Sequence, residues 1–466
     1  MDYSSLLVPP RLVPPLDPEF RPASLSTRAF NKKAHGIGIP LVIGLERNDG
    51  EFSRYETSVF SGNHPEAKLN FYYVERLVKF LLWQRGGWRV YIGGPQIIGD
   101  YIKQIYSQQG ERSFDANFLG RKVYEQEFTI EVCKIENVPP LHESGEPFGR
   151  HLDGYRIGFD LGASDRKVSA VVNGEAVFSE EVIWEPRKHS DPDYHFQEIM
   201  NSLRAAASKM PRVDAIGGSS AGIYINNRPM VASLFRSVPA ERYADIRNLF
   251  ERIQKEFNVP LEVINDGDVT ALAGSMSLED NAILGIAMGS SEATGYVDPS
   301  GFITGWMNEL SFAPVDYNPS APIEEWSGDR GCGSLYFSQQ CVFRLAPKAG
   351  IQIPGEIPDA EKLLFVQEKL ESGHEGAIKI WQTMGYYLGY ALAHYADFYE
   401  VKHVLILGRC TSGRGGDLIL EGAKDVLRVE FPELVNKFIL QLPDEKSRRV
   451  GQSIAAASLP NLRKKS

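Results

Sequence analysis

An α/β fold built from repeated strand-and-turn units is the class this chain predicts, on three observations. The segment "YRIGFDLGASDRKVSAVVNGEAVFSEEVIW" reads as strand, small-residue turn, strand, Asn173-Gly174 turn and strand, and "NAILGIAMGSSEATGYVDPSGFITGW" repeats that order as far as Pro299-Ser300-Gly301. Apolar residues recur at helical spacing between the strand-like runs, over Leu69 to Trp83, Phe196 to Ala207, Tyr243 to Phe257 and Ala377 to Tyr399. Clusters of Gly, Ser, Asn and Asp stand where apolar runs stop, the place at which open α/β sheets hold their ligands.

The chain of 466 residues exceeds one ordinary core, so several domains are expected. Residues 1–36 are Pro-rich and aperiodic and read as an extended arm, disordered or lying along a partner subunit. Residues 37–150 read as a separate α/β region. "IPLVIGLERNDGEFSRYETSVF" predicts two strands around Asn48-Asp49-Gly50, "WRVYIGGPQIIGDYIKQIY" a strand, a Gly93-Gly94 turn and a helix, and "KVYEQEFTIEVCKI" a strand. The Gly93-Gly94 turn suits either helix–strand packing or close approach to a phosphate. No helix-turn-helix partner accompanies the aromatic-rich helix. The linker "NVPPLHESGEPFGRHLDG", 137–154, marks a boundary, and the two copies of the repeated unit follow it, in 151–275 and 276–466.

Bulk properties narrow the function. Fifty basic against sixty acidic residues, a formal charge of −10, remove the electrostatic footprint of a general nucleic-acid binder. Cys133, Cys332, Cys341 and Cys410 are scattered without a C-x-x-C pair, which favours a reducing compartment. The N-terminal twenty residues lack a basic start and a continuous apolar core, and no apolar run reaches membrane-spanning length. A cytoplasmic protein without membrane or nucleic-acid partners is expected.

The stretch "LEVINDGDVTALAG" carries the sharpest chemistry. An apolar run ends at Asn265-Asp266-Gly267-Asp268 and a small-residue helix follows. Asn and Asp serve turns and helix caps, and a carboxylate at a strand end also serves catalysis. Asp266 is the candidate base and Asp268 the candidate cap of a helix starting near Val269. Three small-residue turns, Asp160 through Ser164, Met288 through Ser291 and Gly408 through Gly416, offer backbone N–H groups and hydroxyls of the kind a phosphate chain needs.

In this order, these motifs resemble the actin, sugar-kinase and heat-shock ATPase superfamily, in which two ribonuclease-H-like lobes close on a nucleotide. More narrowly, residues 154 to 460 resemble the ROK family of sugar kinases and sugar-responsive repressors. "GFDLGASDRKVSAVV" is similar to its first phosphate motif, "VINDGDVTALAG" to its catalytic Asn-Asp motif and "IAMGSSEATGYVDPSGFITGWMNEL" to its second phosphate motif. "MGYYLGYALAHYADFYEVKHVLILG" looks like the segment ahead of its adenosine loop, and "VGQSIAAASL" like its closing helix.

The resemblance implies an ATP- and Mg²⁺-dependent sugar kinase that is homodimeric, with the arm a candidate for crossing between subunits. Asp266 would be general base. Asn265, Glu309, Ser220, Gly222 and Ser233 would face the sugar. Asp160 would hold Mg²⁺ through water, and Gly162, Ser164, Lys167, Gly289, Ser290, Ser291, Gly408 and Arg409 would line nucleotide and phosphates. For Lys167 a solvated hairpin position is an equal reading, and for Asp266 and Glu309 turn or surface roles are the plain alternatives.

Departures are concentrated in the sugar pocket. Phe312 replaces the family histidine that contacts sugar and zinc, Cys332 is the one thiol left of the zinc loop, and Ser334 stands where a second sugar-binding Glu is expected. One thiolate without a nearby histidine cannot build tetrahedral zinc, so no zinc site is expected. Gly408-Arg409-Cys410 replaces a Gly-Gly pair, and Ser290-Ser291 replaces Thr-Gly. The alternative to a kinase is a non-catalytic, ROK-like sugar- or nucleotide-sensing or scaffold protein.

Overall fold

The computed structural model describes residues 3–143, 148–443 and 445–462, so residues 144–147 of the expected linker lie outside it. In chain order the elements are α1 (Ala23–Ala34), β1 (Ile39–Glu46), β2 (Phe52–Val59), α2 (Leu69–Arg85), β3 (Arg89–Gly93), α3 (Gln96–Ile105), α4 (Ser113–Asn117) and β4 (Thr129–Cys133). There follow β5 (Tyr155–Leu161), β6 (Asp165–Val172), β7 (Glu175–Ile183), α5 (Pro192–Ala207), β8 (Ala215–Ser220), β9 (Ile223–Ile225), β10 (Arg228–Val231), α6 (Tyr243–Arg247), α7 (Leu249–Phe257), β11 (Leu261–Asn265) and α8 (Asp266–Leu278). The chain closes with β12 (Ile283–Met288), β13 (Glu292–Val297), α9 (Gln339–Leu345), α10 (Asp359–Glu371), α11 (Glu375–Tyr395), β14 (His403–Leu407), α12 (Arg414–Glu430), β15 (Ile439–Gln441) and α13 (Glu445–Ala457). Among the described residues no helix is long and apolar enough to cross a membrane.

Two compact units result: unit 1 holds residues 1–145, 286–294 and 305–442, and unit 2 holds 146–285, 295–304 and 443–466. In unit 1 the sheet β2-β1-β3-β4 has antiparallel pairs at β1 and a parallel β3–β4 pair. Helices α11 and α12 pack so closely that a Cβ on Gly385 would lie 2.7 Å from the Ile419 carbonyl. A sheet in the order β13-β12-β14-β15 carries the second small-residue turn between its first two strands. The third strand of the repeated unit is reduced here to a single bridge, Val297 to Ile303, so the duplication seen in sequence is incomplete.

The expected arm is only partly extended. Residues Ala23, Thr27, Phe30 and Ala34 repeat at helical spacing and are buried in α1, where Phe30 stacks on Tyr73 at 3.9 Å. Small and polar residues hid that face from a reading based on large apolar side chains. The prolines ahead of it do hold an extended path, but along α11 of the same chain. The Leu12 and Leu16 amides donate to Tyr390 Oη at 3.3 Å and to Thr383 Oγ1 at 3.2 Å.

Unit 2 is built on the sheet β11-β8-β5-β6-β7, whose first three strands are parallel. A core of Ile157, Phe159, Leu203, Ile216, Phe250 and Val263 fills one face. Helix α13 covers β5 and β8 so tightly that a Cβ on Gly158 or Gly217 would stand 1.9 Å from the Ser453 carbonyl or 1.7 Å from the Ala456 carbonyl. These glycines are there because backbone meets backbone.

Candidate functional site

Strand register assembles the polar residues of unit 2. Asp160 on β5 is level with Ser219 on β8, and Ser220 is level with Asn265 on β11, so three parallel strands end together at one carboxyl edge. Ser219 Oγ donates to Asp160 Oδ1 at 2.7 Å, and Gln452 Nε2 of α13 reaches both Asp160 Oδ1 (3.3 Å) and Ser219 Oγ (3.1 Å). Ser219 and Gln452 were not singled out from sequence. The signals were present, a second serine in the Gly/Ser strand end and a lone amide in "VGQSIAAASL".

Asp266 opens α8. Its neighbour Asn265 is the helix cap, with Oδ1 accepting from the Gly267 amide at 2.7 Å and Nδ2 donating to the Gly222 carbonyl at 2.8 Å. Both ends of that amide thus fix the turn from which Asp266 projects. Burial, reinforced by the negative charge of Asp160, pushes the Asp266 carboxyl up to about 6, and the Gly267 amide opposes this. Expectation and structure differ at Asp268. The helix starts at Asp266, so Asp268 lies inside its first turn, buried, and its Oδ1 accepts from the Tyr296 amide of β13 at 3.0 Å. It is a tie between elements of unit 2 and not a cap.

The remaining residues expected in unit 2 fall into two groups. Lys167 is partly exposed, and its Nζ pairs with Asp165 at 3.0 Å and stands 3.9 Å from Asp160. Ser164 Oγ donates to Asp165 at 3.3 Å, and the Gly162 amide donates to the Asp165 carbonyl at 2.9 Å, closing the first small-residue turn. Ser220 is buried and accepts from Tyr224 Oη at 2.6 Å. Gly222 has φ of 129°, and a Cβ there would meet the Val231 carbonyl at 2.5 Å, which restricts the position to glycine. Ser233 lies apart, exposed, accepting from Arg187 at 3.0 Å.

In unit 1 the turn Gly289-Ser290-Ser291 is open: a Cβ on Gly289 would meet nothing nearer than 3.7 Å, and both serines are exposed. The Gly289 carbonyl accepts from the Gln339 amide at 2.9 Å. Gly408, with φ of 100°, admits no side chain, because a Cβ would lie 2.5 Å from the Met288 carbonyl. The Arg409 side chain is exposed.

Glu309 sits on a loop held by α2. The Asn308 and Glu309 amides donate to the Gln84 and Trp83 carbonyls at 2.8 and 2.9 Å, which satisfies two of that helix's terminal acceptors. Phe312 stacks on Trp83 with centroids 4.3 Å apart. The loop that carries Asp329 and Cys332 is anchored by charge. Asp329 pairs with Arg76 (3.1 Å) and Lys79 (3.1 Å) of α2 and with Arg112 (2.7 Å), while Lys79 also reaches Asp115 at 3.1 Å and Arg112 reaches Glu75 at 2.6 Å. These three cations hold the Asp329 carboxyl well below its ordinary range despite burial. The Cys332 thiol is fully buried and pushed up to about 12. Among the described residues no three His, Cys, Asp or Glu side chains are arranged to hold a metal ion.

No protein-family model matches the chain, and no curated protein matches it either. Solved structures do. A ROK family transcriptional regulator, homologous to the E. coli MLC protein, is 17% identical with a TM-score of 0.53 over 66% of this chain and 79% of that one. A ROK family glucokinase from Streptomyces griseus, solved with glucose and AMPPNP, is 17% identical with a TM-score of 0.49 over 65% and 99% of the two chains. ROK hexokinase from Thermus thermophilus is 16% identical with a TM-score of 0.49 over 65% and 97%. The likeness to the regulator establishes that 66% of the chain has the ROK-type α/β fold.

Proposed function

We propose that this protein transfers the γ-phosphoryl group of ATP to a hydroxyl of a sugar or sugar derivative, with Asp266 as general base. The observation that carries the reading is the setting of Asp266. It stands at the carboxyl edge of three parallel strands, on a turn fixed through Asn265, with its carboxyl raised to about 6 by burial and by Asp160. A carboxyl that titrates near 6 is mostly ionised at neutral pH, and so is ready to accept a hydroxyl proton while the oxygen attacks phosphorus. Phosphoryl transfer otherwise needs orientation and charge neutralisation, which asks little covalent chemistry of the protein.

Asp160 fits a magnesium ion held through water, since one carboxylate with phosphates and solvent is how this ion is commonly bound, and Ser219 and Gln452 fix its orientation. The ion supplies neutralisation of phosphate charge. Lys167, paired with Asp165 and near Asp160, adds a cation beside the Gly162–Ser164 turn. In unit 1, Gly289, Ser290, Ser291, Gly408 and Arg409 are assigned to the nucleotide and Glu309 to the sugar, in line with the resemblance.

The test is a sugar-library phosphorylation screen with Mg·ATP on wild type, Asp266→Ala and Asp266→Asn. Turnover in the wild type and a loss of about 10²–10⁴-fold in both variants is expected. Turnover that survives both substitutions removes Asp266 as base. Absence of turnover with every sugar, together with no ATP-induced thermal shift, replaces the kinase with a sensor or scaffold.

A further inference from the structure

Glu292 opens β13 directly after the second small-residue turn, buried, with no hydrogen-bond partner for either Oε atom. It packs against Gly333, where a Cβ would stand 2.2 Å from Glu292 Oε2, so only glycine at 333 admits the carboxyl. Ser334 follows, with a buried, unpartnered Oγ. Tyr395 of α11 is 1% exposed, and its hydroxyl, also unpartnered, feels the charge of Glu292. Among the described residues Glu309 is the charged group that acts on Glu292, and no Lys, Arg or His does so. Buried polar atoms in native proteins have partners, and a group of them without protein partners calls for a ligand, an ion or ordered water.

We propose that Glu292 and Glu309, with Ser334 and Tyr395, receive the ammonium group of an amine-bearing sugar. This names the substrate class of the phosphotransferase and rests on that reading for the sugar moiety. An ammonium brings one positive charge and three donors, which matches two carboxyls and two hydroxyl oxygens. A sugar hydroxyl or an N-acetyl amide brings one donor and no charge. An anionic substituent brings the same sign of charge as Glu309. The absence of a cation among the groups acting on Glu292 is therefore what selects the ligand.

The ionisation balance follows. Without ligand, burial and Glu309 push the Glu292 carboxyl up to about 8, so it holds its proton at neutral pH. On binding, R–NH₃⁺ and Glu292–COOH become the pair Glu292–COO⁻···⁺H₃N–R, and one proton passes to the buffer. Glu309 and Tyr395 are the titratable groups that face Glu292.

The experiment is titration calorimetry of the full chain at pH 7 without ATP, with glucosamine, glucose and N-acetylglucosamine, in two buffers of different ionisation heat. Glucosamine is expected to bind at least about ten-fold tighter than the neutral sugars and to release a fraction of a proton approaching one. Glu292→Gln is expected to lose both the preference for glucosamine and the proton release. Ser334→Ala, which leaves the carboxyls in place, is expected to weaken glucosamine and keep the release. Equal affinity for the three sugars, no binding of any, a preference that survives Glu292→Gln, or displacement of glucosamine by millimolar KCl with an inert-salt control would each overturn the receptor. Amine-selective binding without phosphorylation of any sugar would sink the phosphotransferase and leave the receptor. Phosphorylation of neutral sugars without amine selectivity would do the reverse.

Discussion

Asp329 and Glu292 are buried carboxyls of the same unit with opposite surroundings. Asp329 faces Arg76, Lys79 and Arg112 and is held ionised well below the ordinary range. Glu292 faces Glu309, has no hydrogen bond and is raised to about 8. Burial alone penalises both charges equally in kind, so pairing is what separates them. The paired carboxyl holds a loop; the unpaired one keeps a capacity for new partners, as Asp266 does in the other unit, where its main charged neighbour is Asp160. Compensated charge here marks structure, and uncompensated charge marks candidate chemistry.

The largest expected effect comes from removing an uncompensated charge. Asp266→Asn should lower turnover by about 10²–10⁴-fold while making the protein more stable. The sign follows from linkage. Folded Asp266 keeps a proton that the unfolded chain releases between its ordinary 3.8 and about 6, so wild-type stability falls as pH rises through that window. The variant should therefore gain about 1–2 kcal/mol at pH 7 and nothing at pH 3.5, in urea titrations at the two pH values. In the wild type the acid limb of the rate should fall near pH 6. An asparagine variant that is less stable at pH 7 would break the contrast.

Next is the opposite operation, removing a cation from the compensated cluster. Lys79→Met leaves Asp115 and Asp329 without one of their partners in a fully buried setting, and should cost about 3–5 kcal/mol in denaturant unfolding. Because the same α2 accepts the amides of Asn308 and Glu309, the loss should also raise KM for the sugar more than it lowers kcat. A cost below about 1 kcal/mol would mean that the network contributes no net pairing.

Glu292→Gln tests the other side at smaller scale. The folded protein retains the Glu292 proton between its ordinary 4.5 and about 8, so wild-type stability declines across that range and the decline is complete above it. The variant should match wild type near pH 4 and exceed it by about 1–3 kcal/mol at pH 8.5. Equal melting temperatures at both pH values would show that Glu292 has a partner and that the contrast with Asp329 is false.

Much of this was legible in the sequence, and the part that was not has a physical reason. Alternating and helical apolar spacing announced most elements, and the stop at Asn265-Asp266 announced a polar strand end, because such signals are local. Arg76 and Asp329 are separated by 253 positions, and no local pattern tells a helix lysine or arginine which distant carboxylate it will meet. Glu292 was hidden differently: it follows Ser290-Ser291 in a stretch that reads as a phosphate turn, and only the packing of Gly333 shows its carboxyl enclosed. Helix α1 was missed because its buried face is made of Ala, Ser, Thr and one Phe.

The finest version of the contrast lies within "IND-G-D" itself, between carboxylates two residues apart. Asp266 lacks a cation, while Asp268 accepts the Tyr296 amide across to β13 from a buried position. Its bond uses an oxygen that asparagine also has. Asp268→Asn should therefore cost less than about 1 kcal/mol and leave turnover within about two-fold, whereas Asp268→Ala strands a buried amide and should cost about 1–3 kcal/mol. Equal losses in turnover for Asp268→Asn and Asp266→Asn would mean that charge at either position serves the chemistry. Separate losses would assign the tie to one carboxylate and the proton to the other.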